Sequence, residues 1–201
     1  SDTLGMAPSG AVVMAGEWVV LEDSAAAAQA DAASLPSGGD SAAAPAARNV
    51  SRLLRQTSGE EARAANWIRL LKPTVENGEV SVRFRIRSGE IDPSVGVLFQ
   101  VDPKGRNGYL VRVSGADNEL IAHYLLSGKR RDLKMQKIDA APAAGEWHTL
   151  GIRRERERLY VLYDGAEKMM LRDERFIRGT VGLWTEDDTV ADFADLKITA
   201  R

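Results

Sequence analysis

The sequence predicts an all-β protein, a sandwich of antiparallel strands, and three observations carry that prediction. Glu79-Val-Ser-Val-Arg-Phe-Arg-Ile-Arg87 alternates apolar and polar residues without a break, the period of a strand with one buried face. Short runs of the same kind recur roughly every 8–12 residues between glycine-rich and acidic turns, a spacing that suggests a sandwich or barrel. The chain then closes on two such runs. Gly179-Thr-Val-Gly-Leu-Trp-Thr185 alternates around Val181 and Leu183, and Ala191-Asp-Phe-Ala-Asp-Leu-Lys-Ile198 ends on Phe193, Leu196 and Ile198.

Taken in order, Gly16-Glu-Trp-Val-Val-Leu21 reads as a first strand. Residues 24–48 are alanine-rich, with Leu35-Pro-Ser-Gly-Gly39 and Ala44-Pro45. Such composition buries little, so the segment reads as a flexible surface loop inside a single domain spanning 1–201. Arg52-Leu-Leu-Arg-Gln56 is a short apolar strand. Glu60 to Leu71 is divided: Glu60-Glu-Ala-Arg-Ala-Ala starts like a helix, while Trp67-Ile-Arg-Leu-Leu71 suits a strand. Val95 to Val101 follows a Gly-Glu-Ile-Asp-Pro turn. Gly108 to Ser114 and Glu119 to Leu126 form a hairpin around Gly115-Ala-Asp-Asn118. Trp147 to Arg153 and Leu159 to Tyr163 come next, with Asp164-Gly165 as a turn.

Composition narrows the function classes. Hydrophobic residues are 44% and charged residues 28%, enough apolar material for one sizeable core. A net charge of −2 provides no global field toward nucleic acid or an anionic membrane. The absence of cysteine excludes disulfides and thiolate metal sites. No run of about 18 apolar residues is present to insert into a membrane. Ser1-Asp-Thr-Leu-Gly-Met lacks the basic and apolar regions of a signal peptide. The chain is therefore expected to be either cytoplasmic or an exported form whose leader has been removed.

Four polar residues stand out. Arg85, Gln100, Arg112 and His123 each lie opposite the more apolar row of their strand. If those strands are neighbours, the four make a stripe of planar donors suited to sugar hydroxyls or a carboxylate. The plainer reading is a solvated sheet face whose arginines pair with Asp or Glu. Trp184 alternates opposite Leu183 and is expected on an outer face, as a platform for a sugar ring. Trp18 and Trp147 are expected to begin core strands.

Catalysis has less to stand on. Glu90-Ile-Asp92-Pro is the nearest approach to the alternating carboxylates of a retaining glucanase, but a third carboxylate is missing and Pro93 fits a turn. No Gly-x-Ser-x-Gly elbow occurs. The two histidines have no zinc spacing, and His148 reads as structural. Glu186-Asp-Asp188, Asp192 and Asp195 offer oxygen ligands for calcium but match no EF-hand loop, so a polar turn is the simpler reading. Lys129-Arg-Arg131 and the run from Arg153 to Arg158 lack the interleaved aromatics of single-strand binders.

The order Tyr109-Leu-Val-Arg-Val, Asp117-Asn118, His123-Tyr124, Gly128-Lys-Arg-Arg, Gly145-Glu-Trp-His-Thr-Leu, Asp164-Gly165, Gly182-Leu-Trp-Thr and Phe193-Ala-Asp-Leu is distinctive. It resembles exported bacterial domains of the concanavalin A-like lectin/glucanase superfamily, commonly labelled family-16-glycoside-hydrolase-like or 3-keto-disaccharide hydrolase domains. The resemblance runs from about Gly16 to the C-terminus and skips 24–48. Glu186 departs from it, standing where a lysine is common. The resemblance implies a two-sheet jelly roll with sugars on a concave sheet, a periplasmic or secreted location, and a saccharide or glycan partner without a cofactor. Arg85, Gln100, Arg112, Asn118, His123 and Trp184 are then the candidate ligand-binding residues, with Arg112 as anchor. A glycoside hydrolase-like enzyme and a protein-adhesion module are the alternatives.

Overall fold

A computed structural model of the chain describes residues 2–23, 52–58 and 65–200. The loop expected at 24–48, and the helix start expected before Ala65, lie outside them. The described residues form two antiparallel sheets of seven strands each, numbered here in chain order. The first sheet runs β1 (Ala11–Ala15), β4 (Asn66–Leu70), β13 (Thr180–Thr185), β6 (Ser94–Val101), β7 (Gly108–Ser114), β8 (Glu119–Leu126), β9 (Lys129–Lys137). The second runs β12 (Ala166–Arg172), β11 (Arg158–Tyr163), β10 (His148–Glu155), β5 (Gly78–Ser88), β14 (Val190–Ala200), β3 (Arg52–Gln56), β2 (Trp18–Glu22). The chain repeatedly crosses between sheets, as at β5 to β6 and β13 to β14, the habit of a jelly roll. No helix is long and apolar enough to cross a membrane among the described residues.

The core is the set of inward positions of both sheets. On β5 the expected alternation holds: Val82, Phe84 and Ile86 are buried, Arg83 and Arg87 are exposed, and Arg85 is paired. They meet Val95, Val97 and Phe99 of β6, Leu150 and Ile152 of β10, and Phe193 of β14 in one cluster. Trp18 packs in the core as expected, its ring centroid 5.6 Å from that of Phe193. Trp147 does not. It sits half-buried just ahead of β10, with the guanidinium carbons of Arg83 and Arg85 4.7 and 4.5 Å from its ring centroid. Since those arginines project from the outer face of the second sheet, the indole covers that face instead of entering the core.

The divided segment ending at Leu71 resolves as strand over Asn66–Leu70. Three strands escaped the sequence reading: β1, β9 and β12. All three are sheet edges. Edge strands carry charges that blunt edge-to-edge pairing, and Lys129–Lys137 does so over nearly its whole length, which hides its strand period.

Val82→Ala removes two methyl groups from the centre of this core. It is expected to destabilise the fold by about 1–3 kcal/mol in urea unfolding, whereas Arg83→Ala, on the exposed row, should change it by less than about 0.5 kcal/mol.

Candidate functional site

The candidate site is the outer face of the first sheet. Period two sends Ile68, Val97, Val111 and Leu183 to the core, so their neighbours in sequence point away from it. Register then lines those neighbours into rows. Trp67 lies opposite Trp184, Trp184 opposite Gly96, Gly96 opposite Arg112, and Arg112 opposite Ile121. One step along the strands, Val12, Arg69, Gly182, Leu98, Leu110 and His123 form the parallel row.

An apolar cluster occupies the middle of this face: Leu98, Val101, Leu110, Leu125 and Trp184, with Trp67 against it. Trp67 is clamped by the β6–β7 loop. Gly105, at φ +68°, would put a Cβ 1.8 Å from Trp67 Cη2, so only glycine lets the loop lie on the indole. Asp102 holds that loop, accepting from Arg106 N at 2.9 Å and Asn107 Nδ2 at 2.5 Å. Beside β4, Gly182 leaves the floor without a side chain, and a Cβ there would meet Ile68 O at 2.5 Å.

Arg112 organises the polar half. Its Nη1 donates to Asp92 Oδ2 and to Ser94 Oγ, both at 2.7 Å. Its Nε donates to His123 Nε2 at 3.3 Å and lies 3.9 Å from Glu186 Oε2. Arg130 also pairs with Glu186. Asp92 Oδ1 accepts from Ser94 and Ser114 at 2.8 and 2.9 Å. Burial pushes the Asp92 carboxyl up, but the Ser94 bond, the Arg112 charge and the remaining bonds outweigh it and hold it below the usual carboxylate range. Since His123 Nε2 accepts, its proton sits on Nδ1, which donates to Asp132 Oδ1 at 2.7 Å. Burial, aided by the charges of Arg130 and Arg112 and opposed by the Asp132 hydrogen bond, holds His123 down at about 4.

The six residues singled out in the sequence do not assemble as one stripe. Arg112, His123 and Trp184 share the outer face just described. Arg85 belongs to the other sheet, where it and Arg55 hold the fully buried Asp192 at 2.7 and 2.5 Å. Gln100 is buried at φ +54°; its Nε2 donates to Glu76 O and Ile177 O at 2.8 and 2.9 Å, and its Oε1 accepts from Arg154 at 2.9 Å. It ties the end of the sandwich together. Asn118 lies exposed in the β7–β8 turn, its carbonyl accepting from Ile138 N at 2.9 Å. Trp184 is on the expected face but is only 7% exposed, so it is a floor rather than an open platform. Its Nε1 has no hydrogen-bond partner. The nearest carboxylate to Arg112 is that of Asp92.

Sequence reasoning missed Trp67, Arg69, Asp92, Asp132 and Glu186 as members of this face. The signal for the first two was available: if Trp67-Ile-Arg-Leu-Leu71 is a strand, Trp67 and Arg69 share the face opposite Ile68. The acidic residues considered for calcium are dispersed. Glu186 is paired with arginine, Asp188 accepts from Glu90 N at 2.7 Å, and Asp192 and Asp195 hold arginines of the second sheet. Among the described residues no group of three acidic or histidine side chains is placed to hold a metal ion.

Two seven-stranded sheets with this connectivity define a concanavalin A-like jelly roll, and solved structures of that class superimpose on the chain. The carbohydrate-binding module CBM66 from Bacillus subtilis does so with a TM-score of 0.68, over 95% of this chain and 96% of its own, at 15% identity. The exoplasmic/lumenal domain of VIP36 in its Ca2+/Man3GlcNAc-bound form gives 0.55, over 74% and 78%, at 15% identity. The β-glucanase of Bacillus licheniformis gives 0.54, over 74% and 79%, at 13% identity. Identities this low carry the fold alone. No protein-family profile matches the chain, and no curated protein matches it in sequence.

Two outcomes test the polar network. Arg112→Ala strands the half-buried Asp92 charge and is expected to lower unfolding free energy by about 1–3 kcal/mol in urea titration. His123 binds its proton less readily folded than unfolded, so the unfolded chain takes up protons first as pH falls. Stability is therefore full above about 6.5 and declines as pH drops toward about 4, by at most roughly 3 kcal/mol. His123→Asn should remove that part of the slope, read from urea midpoints at pH 7, 5.5 and 4.5.

Proposed function

We propose that the chain is a glycan-binding module that takes a saccharide on the outer face of the first sheet. The observation that carries this reading is the row Trp67–Trp184–Gly96–Arg112. It sets indole surface and a fixed guanidinium on one row of the face, with only Gly96 between Trp184 and Arg112. Sugars offer apolar ring faces to aromatics and hydroxyls to planar donors, so this is the pairing their recognition requires. The likeness to CBM66 and to the glycan-bound VIP36 domain supports a binding role for the fold. That VIP36 domain is exoplasmic or lumenal, which supports an exported or cell-surface location here.

Hydrolysis is the weaker reading, despite the likeness to a β-glucanase. A glycosidase needs one carboxyl that keeps its proton and a second that is free to act on the sugar. Asp92 is held ionised by its arginine and serines, and Glu186 is held by Arg130.

Titration of the full chain against neutral and acidic oligosaccharides tests the proposal. Trp67→Ala is expected to weaken the best ligand by about tenfold or more while leaving cooperative unfolding in place. Binding that is untouched by Trp67→Ala would move the site elsewhere, and no binding to any glycan would sink the reading.

A further inference from the structure

We infer that the ligand of this face is acidic, and that Arg69 takes its carboxylate; this rests on the glycan-binding reading above. Arg69 is only 8% exposed, yet among the described residues no carboxylate lies within ion-pair reach of it. Its contacts are two long bonds from Nη1, to Leu70 O at 3.3 Å and Thr180 Oγ1 at 3.4 Å, and its Nε has no partner at all. The groups beside it on neighbouring strands are Val12 and Gly182, with Leu98 beyond, and none carries charge.

A buried guanidinium in apolar surroundings is costly unless an anion meets it. Other buried or half-buried arginines on these sheets are met by carboxylates or by several short hydrogen bonds; Arg154, which meets no carboxylate, donates to Phe176 O at 2.8 Å and Gln100 Oε1 at 2.9 Å. Arg112 has Asp92, and Arg55 and Arg85 share Asp192. Arg69 stands apart in having only two long contacts and an unpartnered Nε, and it does so on the proposed ligand face. A second unmet donor lies on the same face. Trp184 faces Trp67 across the β4–β13 pair, two residues along from the Arg69–Gly182 pairing, and its buried Nε1 is also without an acceptor. Two unmet donors, a guanidinium and an indole N–H, flank a glycine floor and a clamped indole. The group that answers both is an anion carried on a ring that stacks on Trp67.

A carboxylate matches the planar fork of arginine, two parallel N–H···O bonds being the strongest arrangement open to it. The uronic acids present that group on a sugar ring. A sulfate ester shares the charge but not the planarity, so the two are separable by experiment.

The test titrates the full chain with trisaccharides of galacturonate, glucuronate and mannuronate, their carboxyl-reduced neutral counterparts, and a sulfated disaccharide. At least one uronate should bind ten times or more tighter than its reduced counterpart. Arg69→Met, which keeps length and apolar contact, should bring the two to parity. Because nothing offsets the charge in the free protein, Arg69→Met should also melt at the same temperature or higher. A uronate preference that survives Arg69→Met overturns the assignment, as does a clear drop in melting temperature, which would make Arg69 a structural residue. Preference for the sulfated sugar overturns the carboxylate. Tight binding of neutral sugars alone sinks this inference and leaves the glycan-binding reading standing, whereas no binding to any of them sinks both.

Discussion

The position of β13 between β4 and β6 is the constraint on which the rest of the molecule depends. Thr180–Thr185 pairs Leu183 with Ile68 on one side and with Val97 on the other, and all three face the core. The same register brings Trp184 beside Trp67 and Gly96 on the opposite side. A slip of one residue would send Trp184 inward and Leu183 outward, exchanging core and outer face together. The apolar core thus pins the geometry of the outer face without touching it.

Charge follows a second rule, the same in both sheets. A carboxylate taken out of water is surrounded by donors until its ionised form is the favoured one. Asp192 on the second sheet is fully buried, and its pKa is lowered because Arg55 and Arg85, by hydrogen bonds and charge, outweigh the burial that would raise it. Asp92, just ahead of β6 in the first sheet, reaches the same end through Ser94, Arg112 and Ser114. Such networks specify geometry more than they add stability, since each removes several groups from solvent at once. Around Arg112 the result is a rigid frame. His123 cannot rotate without losing both Arg112 and Asp132, and its depressed proton affinity keeps the ring neutral and fixed at ordinary pH.

Most of the fold was legible in the sequence because period two is a local signal. Val80 to Arg87, Gly108 to Ser114 and Glu119 to Leu126 each declare a strand without reference to anything distant. The edges were less legible, since Lys129–Lys137 has too few apolar residues to show a period. The candidate site was legible only in part, for a physical reason. Sequence tells which side of its own strand a residue occupies, but not which strands are neighbours. Arg85 and Arg112 look equivalent along the chain, yet they lie on different sheets. Gln100 was assigned to a polar face by alternation, but its left-handed backbone breaks the alternation there and turns the amide inward. Trp147 looked like the start of a core strand and instead covers two arginines.

The contrast between Arg112 and Arg69 orders what remains. Both are buried, and both lie on the same face. Arg112 was the natural choice of ligand anchor from sequence, being mid-strand among polar neighbours. In the folded protein its donors are already taken by Asp92, Ser94 and His123, so a ligand reaching for it must compete with partners held in place by the fold. Arg69 and the Trp184 indole have donors with nothing to satisfy them. An unsatisfied buried donor is unfavourable for stability, and two of them on one face are what the proposed ligand would complete. On the proposed glycan-binding reading, the satisfied arginine therefore belongs to the frame of the site, and the unsatisfied one to its recognition.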